Sequence, residues 1–400
     1  MAVRTRDVTE IEDLIETTPL LLVGDGPQEA TGLGRILRDL GRCILAEGLP
    51  IELASVGGPV PPVWREWPHY PMDERLHRGE DWGCSYVEQL WQSHFGNRPG
   101  ILWLIWDPSR MAYYQGFNGP VQKWAYAAID APNGVGRVGG PAADALYQFD
   151  RVIAYGRWGS EVIKTVRTQA VPYLPHGLSP LPVMPEPPYT VAWAREQMGP
   201  QLRKTDLLIG CVATNQPRKD LALFFRTLGE LKDRGLSVYG WLHTDVLVKA
   251  WSIGQLVEDC GLAKRITIST HEASDQELHA MYAACDVTIA PGLGEGFGYP
   301  IVESLRAGTP VVHGDFGGGA ELIPKREWRF PVRETRIEGV YGLQRPVFRP
   351  ADVANAVERV LEWRAELGEA EAAGYCQGAV RHLQWEALWP RWRGWIKDGI

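Results

Sequence analysis

Short apolar segments alternate with longer amphipathic segments along most of this 400-residue chain, and this alternation limits the folds that it can adopt. The amphipathic segments have helical periodicity, most clearly over 32–48, 220–235 and 275–285. The apolar segments have the composition of buried strands; they are 21–24, 51–56, 101–106, 151–155, 207–212, 237–243, 265–270, 286–291 and 310–314. Regular strand–helix alternation predicts parallel sheets that are covered by helices on both faces.

A proline-rich segment separates these strands into two groups. Residues 174–190 read LPHGLSPLPVMPEPPYT, and six prolines in this span disfavour helix and remove donors from any sheet. We place a domain boundary near residue 185. The sequence thus predicts an α/β protein with a Rossmann-like domain over 1–185, a second over 186–375 and a helical segment over 376–400. Because doubly wound sheets bind ligands at the carboxyl ends of their strands, two such domains would face a cleft.

The final helical segment carries three tryptophans on one face, Trp385, Trp389 and Trp392. Interleaved basic residues suggest a membrane-surface helix as one alternative; they are Arg381, Arg391, Arg393 and Lys397. We favour packing of the segment back on the N-terminal domain, because Pro390 interrupts a long amphipathic face.

Charge and cysteine usage exclude several classes of protein. With 41 Lys and Arg against 49 Asp and Glu, the net charge of −8 disfavours a high-affinity non-specific nucleic-acid binder, although it leaves room for a local basic site. The six cysteines form no zinc-binding spacing, so we expect no structural metal. We also expect no signal peptide and no transmembrane segment, and therefore a cytoplasmic protein.

The segment DVTIAPGLGEGFGYPIVESLRAGTPVV, residues 286–312, contains the most informative motif. A predicted strand ends at Pro291, a glycine-rich loop follows, and Pro300 suits the first turn of the next helix. Backbone amides at such a helix start can bind a diphosphate. Glu295 and Glu303 flank this site, and carboxylates accept hydrogen bonds from the diols of a sugar or a ribose. Spacing alone leaves open a plain turn with two solvated glutamates.

The segment GEGFGYPIVESLRAGTPVV resembles the Glu-x7-Glu motif of family-4 retaining glycosyltransferases of the GT-B fold. Three further segments match this family in the same order: GCVATNQPRKDLALFF (210–225), LHTD (242–245) and EASDQELHAMYAACDVTIAPGLGEGFG (272–298). The resemblance implies an N-terminal acceptor domain and a C-terminal domain that binds a nucleotide-diphosphate sugar. In the N-terminal half the resemblance is weaker.

The resemblance also implies roles for individual residues. Glu303 would bind the ribose hydroxyls, and Glu295 would contact the donor sugar near its anomeric carbon. The other residues expected to bind the donor are Arg218, Lys219, Gly296, Phe297, Gly298, Gly32 and Gly34.

The sequence departs from the family pattern at two positions. Thr214 stands where the family usually has an arginine, and we interpret Arg218 as a replacement for that charge. Where the family often has a histidine, this chain has Trp106–Asp107 at the end of a predicted strand. Asp107 is a candidate base for the acceptor hydroxyl, or equally the N-cap of a following helix.

Three further residues are candidates for weaker reasons. His243 ends a predicted strand and is a candidate donor contact, whereas Asp130 and His176 are candidate acceptor contacts. A lone histidine such as His176 is more often a structural residue.

The function that the resemblance implies is metal-independent transfer of a sugar, with retention of anomeric configuration, to a hydroxyl acceptor. No cofactor and no metal are expected, and the nucleotide sugar is the partner. Three alternatives remain: a nucleotide-sugar epimerase or phosphorylase, a catalytically silent nucleotide-sugar-binding protein, and a transferase that acts on a modified base in DNA. The third would use Arg35, Arg38 and Arg42, which lie at helical spacing and could equally form a solvated face.

Overall fold

A computed structural model describes residues 18–29, 31–49, 51–56, 67–72, 81–180 and 189–400. The chain divides into two compact units. The first comprises residues up to Ser179 together with Leu383–Ile400, and the second comprises Pro180–His382. The boundary predicted near residue 185 lies outside the described residues. The return to the first unit falls at Leu383, whereas the sequence places it at residue 376.

The first unit is built on a parallel sheet of six strands in the order β3-β2-β1-β4-β5-β6. Its strands are β1 (Leu20–Asp25), β2 (Ile51–Val56), β3 (His69–Met72), β4 (Gly100–Trp106), β5 (Val121–Ala127) and β6 (Arg151–Ala154). Its helices, apart from the C-terminal one, are α1 (Gly32–Ala46), α2 (Cys84–His94), α3 (Pro108–Met111), α4 (Gly140–Gln148) and α5 (Arg157–Lys164). The central strand β4 is buried along its whole length, as expected for a strand covered by helices on both faces.

Two strands of this sheet were not predicted from the sequence. β3 is an edge strand that contains Pro71, a residue that sheets tolerate only at their edges. β5 begins with partly exposed residues, and Lys123 within it donates to the backbone oxygen of Gln115. Polar residues at these positions hide both strands from an argument based on apolar runs.

The second unit has a parallel six-stranded sheet in the order β12-β11-β10-β7-β8-β9. Its strands are β7 (Leu207–Val212), β8 (Val238–His243), β9 (Ile266–Ser269), β10 (Val287–Ala290), β11 (Val311–Gly314) and β12 (Arg329–Phe330). Its helices are α6 (Val191–Gln197), α7 (Leu221–Asp233), α8 (Ile253–Asp259), α9 (Asp275–Ala284), α10 (Tyr299–Arg306), α11 (Gly317–Glu321), α12 (Pro350–Leu367) and α13 (Glu369–Val380). An antiparallel hairpin, β13 (Glu334–Glu338) and β14 (Leu343–Val347), completes the unit. The predicted α/β class and its two Rossmann-like sheets are confirmed.

The last helix, α14 (Trp385–Lys397), packs on the first unit as predicted. Trp392 is fully buried, with its ring 6.2 Å from that of Trp103 and 4.8 Å from that of Tyr126. Pro390 lies inside this helix without ending it, so the expectation of an interrupted face is wrong. None of the helices in the described ranges has the length and apolar character that a bilayer-spanning segment requires.

Candidate donor site in the second unit

The carboxyl ends of β7 and β10 form the topological switch point of the second sheet. From β7 the chain continues outward to β8 and β9 on one side, and β10 starts the growth of the sheet on the other. Open α/β sheets bind ligands in the crevice at such a point. A shallow concave site lies there, with walls from Val212 and Ala213 after β7 and from Ala290 and Pro291 after β10.

The charged residues of this pocket are Lys219 and Glu295, which form an ion pair. Lys219 Nζ donates to Glu295 Oε1 over 2.5 Å, and both side chains are almost fully buried. Arg218 reaches the other carboxylate oxygen at 3.5 Å and also donates to the backbone oxygen of Gly294 at 3.2 Å. The two predicted cations therefore converge on the predicted glutamate.

These cations control the ionisation of Glu295. Burial alone raises the pKa of this carboxyl, but the charges of Lys219 and Arg218 and the Lys219 hydrogen bond outweigh burial and lower the pKa to about 2. Glu295 is therefore ionised at neutral pH, and it can accept hydrogen bonds from hydroxyl groups of a bound ligand.

The glycine-rich loop joins this pocket to helix α10. Gly298 caps the helix with a φ of 114°, a backbone conformation that favours glycine. Gly298 and Ile301 line the pocket, so the first turn of the helix faces it. A helix start of this kind attracts anions. Gly296 and Phe297 belong to the same turn, but the described pocket walls do not include them.

Glu303 lies further along α10, and among the described residues it is not one of those that line the pocket. Its carboxylate is 6% exposed and accepts a hydrogen bond from the Tyr282 hydroxyl at 3.3 Å. The two glutamates therefore occupy different environments, since Glu295 lines the pocket and Glu303 does not. Sequence reasoning missed Tyr282, because a tyrosine within α9 carries no signal that it will contact Glu303.

His243 ends β8, where the sequence predicts it. Its Nδ1 is 2.9 Å from the hydroxyl of Ser269, and its ring lies 5.8 Å from that of His271. Burial lowers the pKa of His243, the neighbouring His271 lowers it further, and the charges of Glu277 and Glu303 oppose both effects. A contact of His243 with the donor stays a prediction.

Thr214, at the position where the family usually has an arginine, carries no charge. Thr214 precedes Asn215, whose side chain donates to the backbone oxygens of Val246 and Trp251. The role of Arg218 as a substitute stays a prediction, although its guanidinium does reach Glu295.

The first unit contains the remaining predicted residues. Gly32 is exposed at the start of α1, and Gly34, two residues further along, is buried. A Cβ on Gly34 would lie 2.4 Å from the backbone oxygen of Gly26, so backbone packing by itself requires glycine there. A contact of either glycine with phosphate stays a prediction.

Asp107 is the N-cap of α3, which is one of its two predicted roles. Its carboxylate accepts hydrogen bonds from the backbone amides of Ser109 and Arg110. It is nevertheless 34% exposed, and its carboxylate also lies 3.0 Å from Arg110 Nε. A catalytic role is therefore compatible with its position and stays a prediction.

The structure places His176 in an aromatic cluster of the first unit. Its Nδ1 lies 2.6 Å from the Tyr126 hydroxyl, its ring packs on Tyr155, and its side chain is 1% exposed. Burial lowers its pKa well below the usual value, so it is neutral. This environment is that of a structural histidine and gives no support to an acceptor contact. Asp130 is partly exposed in the loop after β5.

The basic face proposed for DNA is partly engaged in other contacts. Arg38 pairs with Asp39 at 2.8 Å, and Asp39 in turn accepts a hydrogen bond from Ser179. Within the described ranges, no cluster of His, Cys, Asp or Glu side chains is arranged to hold a metal ion.

Comparisons with known proteins show what this chain resembles. Residues 195–364 match the model of the family described as Glycosyl transferases group 1. D-inositol 3-phosphate glycosyltransferase of Mycobacterium marinum is 30% identical over 125 residues, which are 31% of this chain and 26% of that protein. An uncharacterized glycosyltransferase of Sulfolobus islandicus rod-shaped virus 1 is 23% identical over 232 residues, which are 50% of this chain and 66% of that protein. The chain thus spans less than two thirds of the length of each relative.

A solved structure extends the similarity to both units. The Anabaena protein Alr3699/HepE, determined in complex with UDP and glucose, superposes with a TM-score of 0.70 at 14% identity, covering 95% of this chain and 100% of that one. Residues 195–364 are therefore similar to the Glycosyl transferases group 1 family, and the two units of the chain have the fold of GT-B glycosyltransferases.

Proposed function

We propose that this protein is a glycosyltransferase that moves a sugar from a nucleoside-diphosphate sugar to a hydroxyl acceptor, with retention of anomeric configuration and without a metal ion. The observation that carries the proposal is the pocket between β7 and β10, where Lys219, Glu295 and the first turn of α10 meet. The matched domain and the UDP and glucose of the Anabaena structure support a nucleotide sugar as the donor.

The main electrostatic requirement of this reaction is to stabilise the leaving diphosphate. Negative charge grows on the diphosphate as its bond to the sugar breaks, and preorganised positive groups stabilise that charge. Lys219, Arg218 and the amides at the start of α10 are such groups in this pocket. We propose that they replace the metal ion that other transferases use for the same purpose.

The ion pair of Lys219 and Glu295 suggests how this site receives its ligand. Both residues are nearly buried, and each neutralises the other in the structure. When a diphosphate approaches Lys219, it supplies the negative charge that Glu295 now supplies. The carboxylate of Glu295 can then accept hydrogen bonds from the hydroxyls of the donor sugar.

Retention requires the acceptor to attack the face from which the leaving group departs. In the proposed path the departing phosphate takes the proton of the acceptor hydroxyl, and Glu295 acts by orienting the sugar. Glu303, supported by Tyr282, holds the ribose hydroxyls of the donor.

An isotopically labelled donor tests this proposal. The protein is incubated with sugar-labelled UDP-, GDP-, ADP- and TDP-hexoses, with and without EDTA, and the products are followed by NMR. With water as the acceptor, we expect slow release of labelled hexose, unaffected by EDTA, that appears first in the donor's anomeric configuration, before mutarotation mixes the anomers. An isomerised nucleotide sugar would indicate an epimerase, inverted product would contradict retention, and no turnover of any donor would indicate a silent binding protein.

A further inference from the structure

The first sheet has a topological switch point that corresponds to the one in the second sheet. It lies between β1 and β4, since the chain builds β2 and β3 on one side of β1 and then adds β4 on the other. At the carboxyl ends of these two strands the structure places Asp25, Trp106 and Asp107. A ligand crevice is expected at this point, as for the second sheet.

A connected cluster of charged and aromatic side chains occupies this point. Asp25 Oδ1 accepts hydrogen bonds from Trp106 Nε1 and from Arg110 Nη1, each over 2.8 Å. Arg110 Nε also lies 3.0 Å from Asp107 Oδ2, so two carboxylates hold one guanidinium. These three charged side chains are 16–34% exposed, so solvent and ligands can reach them.

Trp82 forms the aromatic wall of the cluster. The guanidinium carbon of Arg110 lies 4.4 Å from the centre of its ring, and the ring meets Trp106 edge-on at 6.3 Å. Trp82 has a φ of 51°, a backbone conformation that residues with a side chain rarely adopt. A hydrogen bond of 2.9 Å from the Tyr114 hydroxyl to its backbone oxygen holds it in place.

The chemistry of this cluster is suited to a polyol. A partly exposed indole offers an apolar face to the C–H groups of a sugar ring, and carboxylates accept hydrogen bonds from hydroxyls while a guanidinium donates them. Among the described side chains of this cluster, two carboxylates against one guanidinium leave a net charge of −1. That charge repels phosphate groups, so it disfavours both DNA and a sugar phosphate.

We propose that the cluster of Asp25, Asp107, Arg110 and Trp82 binds the acceptor, and that this acceptor is an uncharged carbohydrate. The inference rests on the proposed function, whose acceptor it specifies. An uncharged acceptor would differ from the inositol 3-phosphate that appears in the name of the Mycobacterium marinum relative.

Saturation-transfer NMR without any donor tests the inference. The probes are methyl α-glucoside, methyl α-mannoside and methyl α-galactoside, with glucose 6-phosphate as the charged comparison. The matched control for Trp82→Ala is Trp395→Ala, because Trp395 lies at 4.2 Å over the guanidinium of Arg151 on the same unit. We expect at least one methyl glycoside to bind the wild type and Trp395→Ala. This signal should fall at least about fivefold in Trp82→Ala, because the ring that packs on the sugar is lost.

A charge variant tests the second half of the inference. Asn caps helices as well as Asp does, so Asp107→Asn keeps α3 while removing the net negative charge. We expect glucose 6-phosphate to bind the wild type more weakly than the methyl glycosides, and to gain roughly three- to tenfold in Asp107→Asn.

Three results would overturn the inference: no methyl glycoside binding to the wild type, equal binding to Trp82→Ala, or wild-type preference for the phosphate. Because these probes are offered without nucleotide, failure here leaves the donor assay untouched. A failed donor assay with intact glycoside binding would instead reject the proposed function. Unfolding curves for each variant verify that it is folded at the assay temperature.

Discussion

At the scale of single residues, the ion pair between Lys219 and Glu295 sets the character of the pocket. A carboxyl whose pKa falls on folding, here from 4.5 to about 2, stabilises the native state at pH values above 4.5. That contribution is lost as the pH falls towards 2. The pair therefore links the stability of the second unit to pH.

Substitution of Glu295→Gln tests this linkage. We measure the free energy of unfolding of both proteins by urea denaturation at pH 5 and at pH 3. Between these pH values, the free energy of unfolding of the wild type should fall by about 2 kcal/mol more than that of Glu295→Gln. Glu362→Gln, at an exposed position of α12, should follow the wild type. A constant difference between wild type and Glu295→Gln across this range would show that the carboxyl has an ordinary pKa.

The hydrogen bond from Tyr282 to Glu303 gives a second prediction for single residues. Tyr282→Phe removes only the hydroxyl that holds this carboxylate. We expect donor affinity, measured by isothermal titration calorimetry with the best nucleotide sugar, to weaken roughly three- to tenfold, which corresponds to about 1 kcal/mol. Unchanged affinity would mean that Tyr282 does not position Glu303 for the ligand.

At the scale of structural elements, the glycine-rich loop and α10 act as one unit that presents backbone amides to the pocket. Gly298→Ala forces a side chain into a φ of 114° and places its Cβ 3.0 Å from Ile301 Cδ1. We expect a loss of about 1–3 kcal/mol in unfolding free energy together with weaker donor binding. Gly374→Ala is the matched control: it lies within α13 with open space around its Cβ, and alanine there should stabilise by up to about 1 kcal/mol. Equal effects of the two substitutions would contradict the importance of the loop geometry.

The elements also show what the sequence could predict and why the rest was missed. The nine apolar runs all became strands, and in most of them burial on both faces of a parallel sheet accounts for the strong compositional signal. The edge strand β9 is only partly buried but still has an apolar sequence. The edge strand β3, and the strand β5, which begins with polar residues, leave no such signal in the sequence. Glu295 and its two cations followed from the family resemblance, whereas the proposed acceptor-binding cluster depends on residues as distant in sequence as Asp25 and Arg110. Only the fold brings these two together.

At the scale of the whole molecule, the C-terminal helix returns to the first unit and completes its core. Trp392 is fully buried and donates from its indole to the backbone oxygen of Pro175 at 3.2 Å. Trp392→Ala should cost roughly 3–5 kcal/mol of stability, and calorimetry should show the loss in a transition that nucleotide sugar does not shift. If the variant instead lost donor-induced stabilisation, the helix would matter to the second unit rather than the first.

The measurement that tests the central claim most directly is donor-induced thermal stabilisation of the wild type, Glu303→Ala and the exposed control Glu362→Ala. A panel of UDP-, GDP-, ADP- and TDP-sugars should include at least one that raises the melting temperature of the wild type and of Glu362→Ala. The same sugar should leave Glu303→Ala unchanged. Equal stabilisation of all three proteins would contradict the assignment of Glu303 to donor binding. If none of the four nucleotide sugars stabilised the wild type, the result would contradict the donor site itself.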